Sequence, residues 1–393
     1  MRDMRVAGRE RARQLARQGR LEDALAEYRN LLQSNPDDAD ACQRVAELLE
    51  ELGRKAESSS AYALASRAWA REGSLLSAVT ACVALGRVGA PPEMKARCAR
   101  SLAERFALSA EPTSSDGPVP LFSRLGREDF VALVEVLAAR VFAPGQLVVE
   151  EGAPGASMFA LVEGRAEVAR ALEDGTRGVV GTVSPGDCFG ELALVSEGPR
   201  LASVVTTERS VLLELTRTAL EAVRARHPRV GEVLEDFYRR RLVDNLLRSN
   251  PLLNHLTLEQ KAALSRDFHL RGVASGEVLL TQGQRGDAFY VLLRGKCTPW
   301  LEHPDGRRMA LVELREGDVF GEISLLLDKP VSATVKADVK GVVLRLSRDA
   351  FERHLLSQPG LKGQLMRMGT ERLQRSARVL ASGRVLHDGD LRV

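Results

Sequence analysis

Phe189-Gly190-Glu191-Leu192-Ala193-Leu194, followed by Pro199-Arg200-Leu201-Ala202-Ser203-Val204, decides the reading of this chain, because it occurs twice. It returns as Phe320-Gly321-Glu322-Ile323-Ser324-Leu325 with Pro330-Val331-Ser332-Ala333-Thr334-Val335, 131 residues on. Working outward, Gly145, Gly152, Gly155, Gly164, Gly175, Gly186 and Gly190 recur at the same offset as Gly276, Gly283, Gly286, Gly295, Gly306, Gly317 and Gly321. The halves therefore align without a gap from residue 121 against 252 to residue 220 against 351. Glycines kept in register mark turns that need positive φ, or places where backbone comes close to something else. Asp174-Gly175 and Asp305-Gly306 are hairpin signals between β-type runs. Each half reads as a helix (from about 123 in the first), a small antiparallel barrel, then helices from about 217 and 348.

The repeated segment also carries the chemistry. A buried monoanionic phosphodiester needs donors that are already organised. A glycine followed at once by a helical turn offers free N–H groups and positive dipole character. An arginine adds a charge-assisted, bidentate-capable contact. A carboxylate accepts from a sugar hydroxyl. Gly190, the turn from Glu191, and Arg200 supply this set in the first half. On these residues the segment resembles the phosphate-binding cassette of the cyclic-nucleotide-binding domain family, found in bacterial cAMP receptor proteins and protein kinase A regulatory subunits. The likeness covers residues 121–375. It implies that Glu191 binds the ribose 2′-hydroxyl, that Arg200 binds the phosphate, and that the amides of Leu192, Ala193 and Ala202 complete the cradle. Leu201 stands where many cAMP-binding members have Ala and many cGMP-selective ones have Thr. With no hydroxyl for the guanine amino group, cAMP is expected over cGMP.

The second half departs where it matters most. Val331 replaces the arginine, while Gly321, Glu322, Ser332 and Ala333 keep the frame. Losing one partner of a buried charged pair costs about 2–5 kcal/mol, so this second site is expected to be degenerate for ordinary cyclic nucleotides. Lys329, the nearest replacement cation, is expected to face solvent.

Ahead of the barrels the sequence is helical. Leu21, Ala24, Leu25, Tyr28, Leu31 and Leu32 form one apolar face, which Asn35-Pro36-Asp37-Asp38 ends. Gly19 and Gly53, like Tyr28 and Tyr62, are 34 residues apart, the period of a helix-turn-helix solenoid. Gly19, Ala24, Tyr28 and Pro36 make residues 5–38 similar to a tetratricopeptide repeat. The second unit carries Ser58 in place of the small Ala, and Gly73 with Ala78 suggests a third, out-of-step unit. The stretch Ser109–Pro120, dense in Pro, Ser and Gly, reads as a linker. The expected class is a multidomain α+β chain. A tetratricopeptide-like helical repeat spans 1–108 and a linker 109–120. Two jelly-roll cyclic-nucleotide-binding domains follow at 121–250 and 251–380, each with flanking helices, then a tail at 381–393.

Composition narrows the function. A formal net charge of +3 over 393 residues gives no support to a nucleic-acid or membrane-surface role. No apolar run is long enough for a membrane span, and the basic N-terminus leads into no signal-peptide core. Cys42, Cys82, Cys98, Cys188 and Cys297 form neither a disulfide framework nor a zinc pattern, which points to a reducing cytoplasm. The six histidines are dispersed and read as surface or structural residues. No nucleophile elbow, Walker loop or HExxH occurs, so no enzymatic activity and no cofactor are expected. Phe237 and Tyr238 read as core, Arg239-Arg240-Arg241 as a solvated helix face, and Trp300 as packing.

The expectation is a cytoplasmic cAMP receptor that signals through protein–protein contact, with an unidentified partner on the helical repeats. One rival is an assembly scaffold whose barrels bind nothing. Another is a regulatory subunit of an enzyme, although 109–120 lacks the basic pseudosubstrate stretch of kinase A regulators. A transcription factor fits worse, since the residues after the second barrel, with a terminal helix expected over Leu361–Leu380, offer no recognition-helix pattern.

Overall fold

The computed structural model describes residues 2–106, 122, 124–171, 177–195, 198–249, 256–303 and 307–357, with scattered positions up to 374. The expected linker, both Asp-Gly hairpin signals, most of the expected terminal helix and the tail lie outside the described residues. The chain divides into two compact units, Met1–Leu194 with Pro199–Glu235, and Val195–Gly198 with Asp236–Val393.

The first unit begins with six helices: α1 (Arg2–Arg17), α2 (Leu21–Ser34), α3 (Ala39–Glu51), α4 (Lys55–Arg71), α5 (Leu75–Arg87) and α6 (Pro92–Arg105). Each packs on the next, as short turns dictate for antiparallel neighbours. The stripe on α2 buries Ala24, Leu25 and Tyr28. That helix stops at Asn35, and Asp38 then caps α3 by accepting from Ala41 N at 3.0 Å. Ser58 is fully buried at the position where a small Ala was expected, and its hydroxyl donates to Ala46 O at 2.9 Å. Ser66 does the same to Ala78 O at 2.9 Å. Satisfied hydroxyls of this kind remove most of the cost of burying a polar group.

Barrel A follows α7 (Arg127–Val136). Its strands are β1 (Ala138–Phe142), β2 (Leu147–Val149), β3 (Ser157–Glu163), β4 (Ala166–Ala171), β5 (Arg177–Val183), β6 (Cys188–Phe189), β7 (Ser203–Thr206) and β8 (Ser210–Thr216). They form two antiparallel four-stranded sheets, ordered β1-β8-β3-β6 and β2-β7-β4-β5. Between the sheets lie Val149, Phe159, Leu161, Ala166, Val183, Val204 and Leu212. A short turn of helix, α8 (Leu192–Val195), interrupts the barrel, and α9 (Arg217–Arg224) and α10 (Pro228–Ser249) follow it.

An ion network, buried at its α3 end and open to solvent at its barrel end, joins α3 to this barrel. Arg44 Nη1 lies 2.6 Å from Glu47 Oε2, and its Nη2 donates to Glu163 at the end of β3. Arg209, in the turn before β8, reaches Glu47 at 3.0 Å and Glu163 at 3.7 Å. Burial by itself would raise the Glu47 carboxyl. The Arg44 and Arg209 guanidiniums, with a hydrogen bond from Gln43, outweigh it and hold the group below the usual carboxylate range.

Barrel B in the second unit repeats the topology. After α11 (Leu258–Asp267) come β9 (Phe268–Val273), β10 (Val278–Leu280), β11 (Ala288–Arg294), β12 (Cys297–Glu302), β13 (Arg308–Ala310), β14 (Val319–Phe320), β15 (Thr334–Ala337) and β16 (Gly341–Ser347). The sheets run β9-β16-β11-β14 and β10-β15-β12-β13. β2, β3, β4, β6, β7 and β8 each begin 131 residues before their counterparts, the offset read from the glycines. Helical turns α12 (Glu322–Leu326) and α13 (Arg348–Phe351) take the places of α8 and the start of α9.

Tyr238 and Trp300 are buried, as expected of core residues. The arginine run is corrected at one position. Arg239 does not lie on a solvated face: its guanidinium donates to the carbonyls of Ser265 and Phe268 at the end of α11. His227 pairs with Asp129 at 3.1 Å and His354 with Asp267 at 2.7 Å, which are structural roles. Among the described residues no helix is long and apolar enough to cross a membrane, and no cluster of metal-ligating side chains occurs.

Candidate functional site

In barrel A the cassette begins where β6 ends. Phe189 stacks on Phe159 with ring centroids 5.4 Å apart, which anchors the strand against the core. The chain then turns at Gly190 with φ 78°. A side chain there is barred twice, since an added Cβ would stand 3.0 Å from Ser157 O and 2.5 Å from Arg200 Nη1. Glu191 is buried, and Ala193 N donates back to Gly190 O at 3.1 Å to close the turn. The helix that follows has only four residues. It contributes local N–H groups rather than the macrodipole of a long helix, which tempers the dipole argument made from sequence.

Arg200 arrives from the other side. Its backbone is pinned to the 152–155 loop, with Arg200 N donating to Ala153 O at 2.8 Å and Gly152 N donating to Arg200 O at 2.9 Å. The guanidinium lies over Gly155, where an added Cβ would fall 2.7 Å from Nε. Its Nη1 donates to Gly190 O at 3.3 Å. Two glycines of the 131-residue register thus make one slot, and Arg200 fills it. Leu201 and Ala202 are half-buried beyond it, and the Ala202 amide has no partner among the described residues. The arrangement brings a cation, a buried carboxylate and backbone donors to one short stretch of surface. That set suits an anionic group attached to a hydroxylated ring.

Barrel B has the same frame with different contents. Gly321 turns with φ 84°, and an added Cβ would stand 2.6 Å from Ala288 O, the counterpart of Ser157 O. Val331 N donates to Gln284 O at 2.8 Å and Gly283 N to Val331 O at 2.9 Å, the pairing that holds Arg200 in barrel A. Here the slot over Gly286 is filled from within. Ser324 Oγ would lie 2.1 Å and Val331 Cγ2 3.5 Å from a Cβ at that glycine. Ser324 Oγ also donates to Gly321 O at 2.9 Å, so it takes the carbonyl that Arg200 uses in barrel A. Val331 is buried among Leu280, Tyr290, Phe320 and Val335, a burial worth about 1.5–3 kcal/mol. Glu322 is buried, Ala333 is half-buried, and Ser332 and Lys329 are exposed.

One pair of residues was not singled out from sequence. Arg217, at the start of α9, donates from Nε to Ala193 O at 3.0 Å and from Nη2 to Gly155 O at 3.4 Å, clamping the cassette helix to the opposite loop. Arg348, 131 residues on, donates to Gly286 O at 3.0 and 2.8 Å and to Asp328 Oδ1 at 3.1 Å. The repeat register contains both arginines, but nothing local marks them as partners of the cassette.

Residues 139–227 and 270–358 each match the cyclic nucleotide-binding domain family. The chain is 31% identical over 246 residues to the cAMP-dependent protein kinase regulatory subunit of Emericella nidulans, covering 60% of this chain and 57% of that protein. It is 30% identical over 236 residues to the regulatory subunit of the same name from Yarrowia lipolytica, covering 60% of this chain and 58% of that one. The chain thus spans less than two thirds of the length of these relatives. Among solved structures, the regulatory domain of Toxoplasma gondii PKA in co-crystal with cAMP is 25% identical, covering 64% of this chain and 92% of that one, with a TM-score of 0.33.

Proposed function

Since the two barrels are tandem cyclic nucleotide-binding domains related to those of protein kinase regulatory subunits, we propose that this chain is a cyclic-nucleotide receptor with one working pocket, in barrel A. Arg200 binds the ring phosphate and Glu191 the ribose 2′-hydroxyl. The Leu192 and Ala202 amides add donors, joined by the Ala193 amide once its bond to Gly190 O is given up. The observation that carries this reading is the slot between Gly155 and Gly190, which holds a guanidinium in barrel A and Val331 with Ser324 in barrel B. cAMP is the preferred ligand, because Leu201 presents no hydroxyl to a guanine amino group. The chain has no catalytic role of its own and acts in the cytoplasm.

Its output is regulation of a protein partner, with a kinase catalytic subunit the first candidate, given the names of its relatives. A ligand phosphate competes with Gly190 O for Arg200 Nη1 and for the Ala193 amide, and Ala193 O accepts from Arg217, so ligand in the cassette acts on α9 and the chain that continues from it. Such a switch requires that cAMP bind the two arrangements with different free energies. The helical segment supplies the partner surface. Calorimetric titration with cAMP and cGMP, beside Arg200→Ala, tests the pocket: one site per chain, tighter for cAMP and lost in the variant, is expected. No heat and no thermal shift with either nucleotide would overturn the receptor reading in favour of an assembly scaffold. Solution scattering unchanged at saturating cAMP would remove the switching claim alone.

A further inference from the structure

Between α8 and Arg200 the chain changes units and returns. Leu194 and Pro199 belong to the first compact unit, whereas Val195–Gly198 between them belongs to the second. Within that second unit Gly198 lies against Arg294, the last residue of β11. A Cβ added at Gly198 would stand 2.5 Å from Nη2, 2.8 Å from Cζ and 2.9 Å from Nε, so the guanidinium lies over the glycine backbone. Arg200 lies over Gly155 in the same manner. Arg294 is only 4% exposed, so its side chain is held in place and does not sweep through solvent.

The strand itself aims this arginine. The register between β11 and β16 slips between Leu292 and Arg294, which leaves Leu293 as an extra residue, and the chain turns at Gly295 directly afterwards. A bulge of this kind re-aims the side chain beside it. In barrel A, β3 slips at the matching place, between Leu161 and Glu163, and Glu163 reaches Arg44 of α3. One backbone device thus serves both barrels, and the sequence changes only the charge it carries. The cassette of barrel B has no such seat. Lys329 stands 131 residues after Gly198, is exposed, and donates its amide to Ser324 O of its own cassette at 3.2 Å.

We propose that Arg294 is a positioning residue for cyclic-nucleotide binding in barrel A, an inference that rests on the receptor reading of that pocket. Gly198 comes two residues before Arg200, and Pro199 between them bridges to Pro154. Residues 198–200 are therefore held at both ends. Arg200 is fixed by its backbone bonds with Ala153 and Gly152, and Gly198 by the guanidinium of Arg294. A tie on Gly198 limits the directions from which the chain enters Arg200. Ordering a binding residue before its ligand arrives removes an ordering cost from binding. The other end of the same loop is Val195, the last residue of α8, whose Leu192 and Ala193 amides the receptor reading gives to the ligand. Through this loop barrel B tunes a pocket that it does not contain. By linkage, cAMP in that pocket strengthens the seat in return.

The test is calorimetry with cAMP, beside amide hydrogen exchange, on the full chain. Arg294→Ala should weaken cAMP binding roughly 2- to 30-fold. It should also speed exchange in residues 192–204 and leave residues 323–335, the cassette of barrel B, unchanged. Gly198→Ala leaves every residue of barrel B in place and should weaken binding too. Part of its loss is backbone strain at φ 155°, which persists in any background. The part due to the guanidinium should vanish in the double variant, so Gly198→Ala should cost at least about twofold less affinity when Arg294 is already Ala. A general loss of stability in barrel B would not produce that non-additivity. Should Arg294→Ala speed exchange at 323–335 as well, Arg294→Met, which keeps the buried stem, takes its place in the cycle. Exchange at 192–204 that stays at the wild-type rate, cAMP binding that is unchanged or tighter, or fully additive losses would each overturn the proposal alone. A wild-type chain that takes up no cAMP would fail the receptor reading first, and the proposal with it.

Discussion

Barrels A and B are the same backbone with different contents. Strand order, glycine turns and even the hydrogen bonds that pin residues 200 and 331 coincide. What differs is which side chain occupies the gap between the two glycines of the cassette. In barrel A it is the Arg200 guanidinium. In barrel B it is Val331, which belongs to the core, and Ser324, which already satisfies Gly321 O. Losing the arginine would leave a hole and a carbonyl short of a donor, and barrel B has filled both. The shared fold therefore does not separate the two barrels. On the proposed reading two side chains do, with the slot of barrel B given over to packing.

The largest test of that contrast lies outside the pocket. Barrel A presents Glu163 and Arg209 to Arg44 and Glu47, whereas barrel B has Arg294 and Lys340 at the matching positions. Removing one partner of a buried ion pair costs about 3–5 kcal/mol, so Glu47→Gln should lower the stability of the first unit by that order and leave barrel B unchanged. Urea unfolding followed at Trp69, in a Trp300→Phe background, reads the first unit alone. Because the folded Glu47 titrates below the ordinary value of 4.5, its contribution is complete above that pH. It is lost as the pH falls from there through the folded value, and the gap between wild type and variant should close with it. A gap that persists at low pH would mean the effect is packing and not charge.

Arg200→Ala comes next. Loss of a buried charged contact predicts cAMP weaker by about 2–5 kcal/mol, roughly one and a half to three and a half decades, read by calorimetry. Undiminished affinity would dissolve the distinction between the barrels. Smaller is the reverse exchange. Val331→Arg alone should cost about 1–3 kcal/mol through overpacking against Ser324, measured as a shift of the barrel B unfolding midpoint. Adding Ser324→Ala should recover part of that and raise cAMP stoichiometry from one to two per chain. A double variant that is stable yet still binds one equivalent would show that more than these two side chains closed the second site. The smallest effect belongs to Leu201→Thr, a position where barrel B already carries the hydroxyl of Ser332. One added hydrogen bond, worth about 0.5–1.5 kcal/mol, should narrow the preference for cAMP over cGMP by up to about tenfold in competition binding.

The sequence by itself determined the repeat, the order of domains and the place of the cassette. Glycines that must turn or admit a close neighbour are constrained residue by residue, so Gly155, Gly190, Gly286 and Gly321 declare themselves without a partner in view. The replacement of Arg200 by Val331 was equally legible, because it is a change of chemistry at a fixed offset. The burial of Ser58 as a satisfied hydroxyl, the inward turn of Arg239, and the filling of the second slot by Ser324 were not. Nor were the Arg217 and Arg348 clamps or the Arg44–Glu47–Glu163–Arg209 network. Apart from the local Ser324–Gly321 and Arg44–Glu47 contacts, these join a side chain to a group 12 to 162 positions away, allowed by many residue types and selected only when packing brings the two elements together. Periodicity and spacing report what a backbone must do locally, whereas the meeting of distant side chains is decided by tertiary structure.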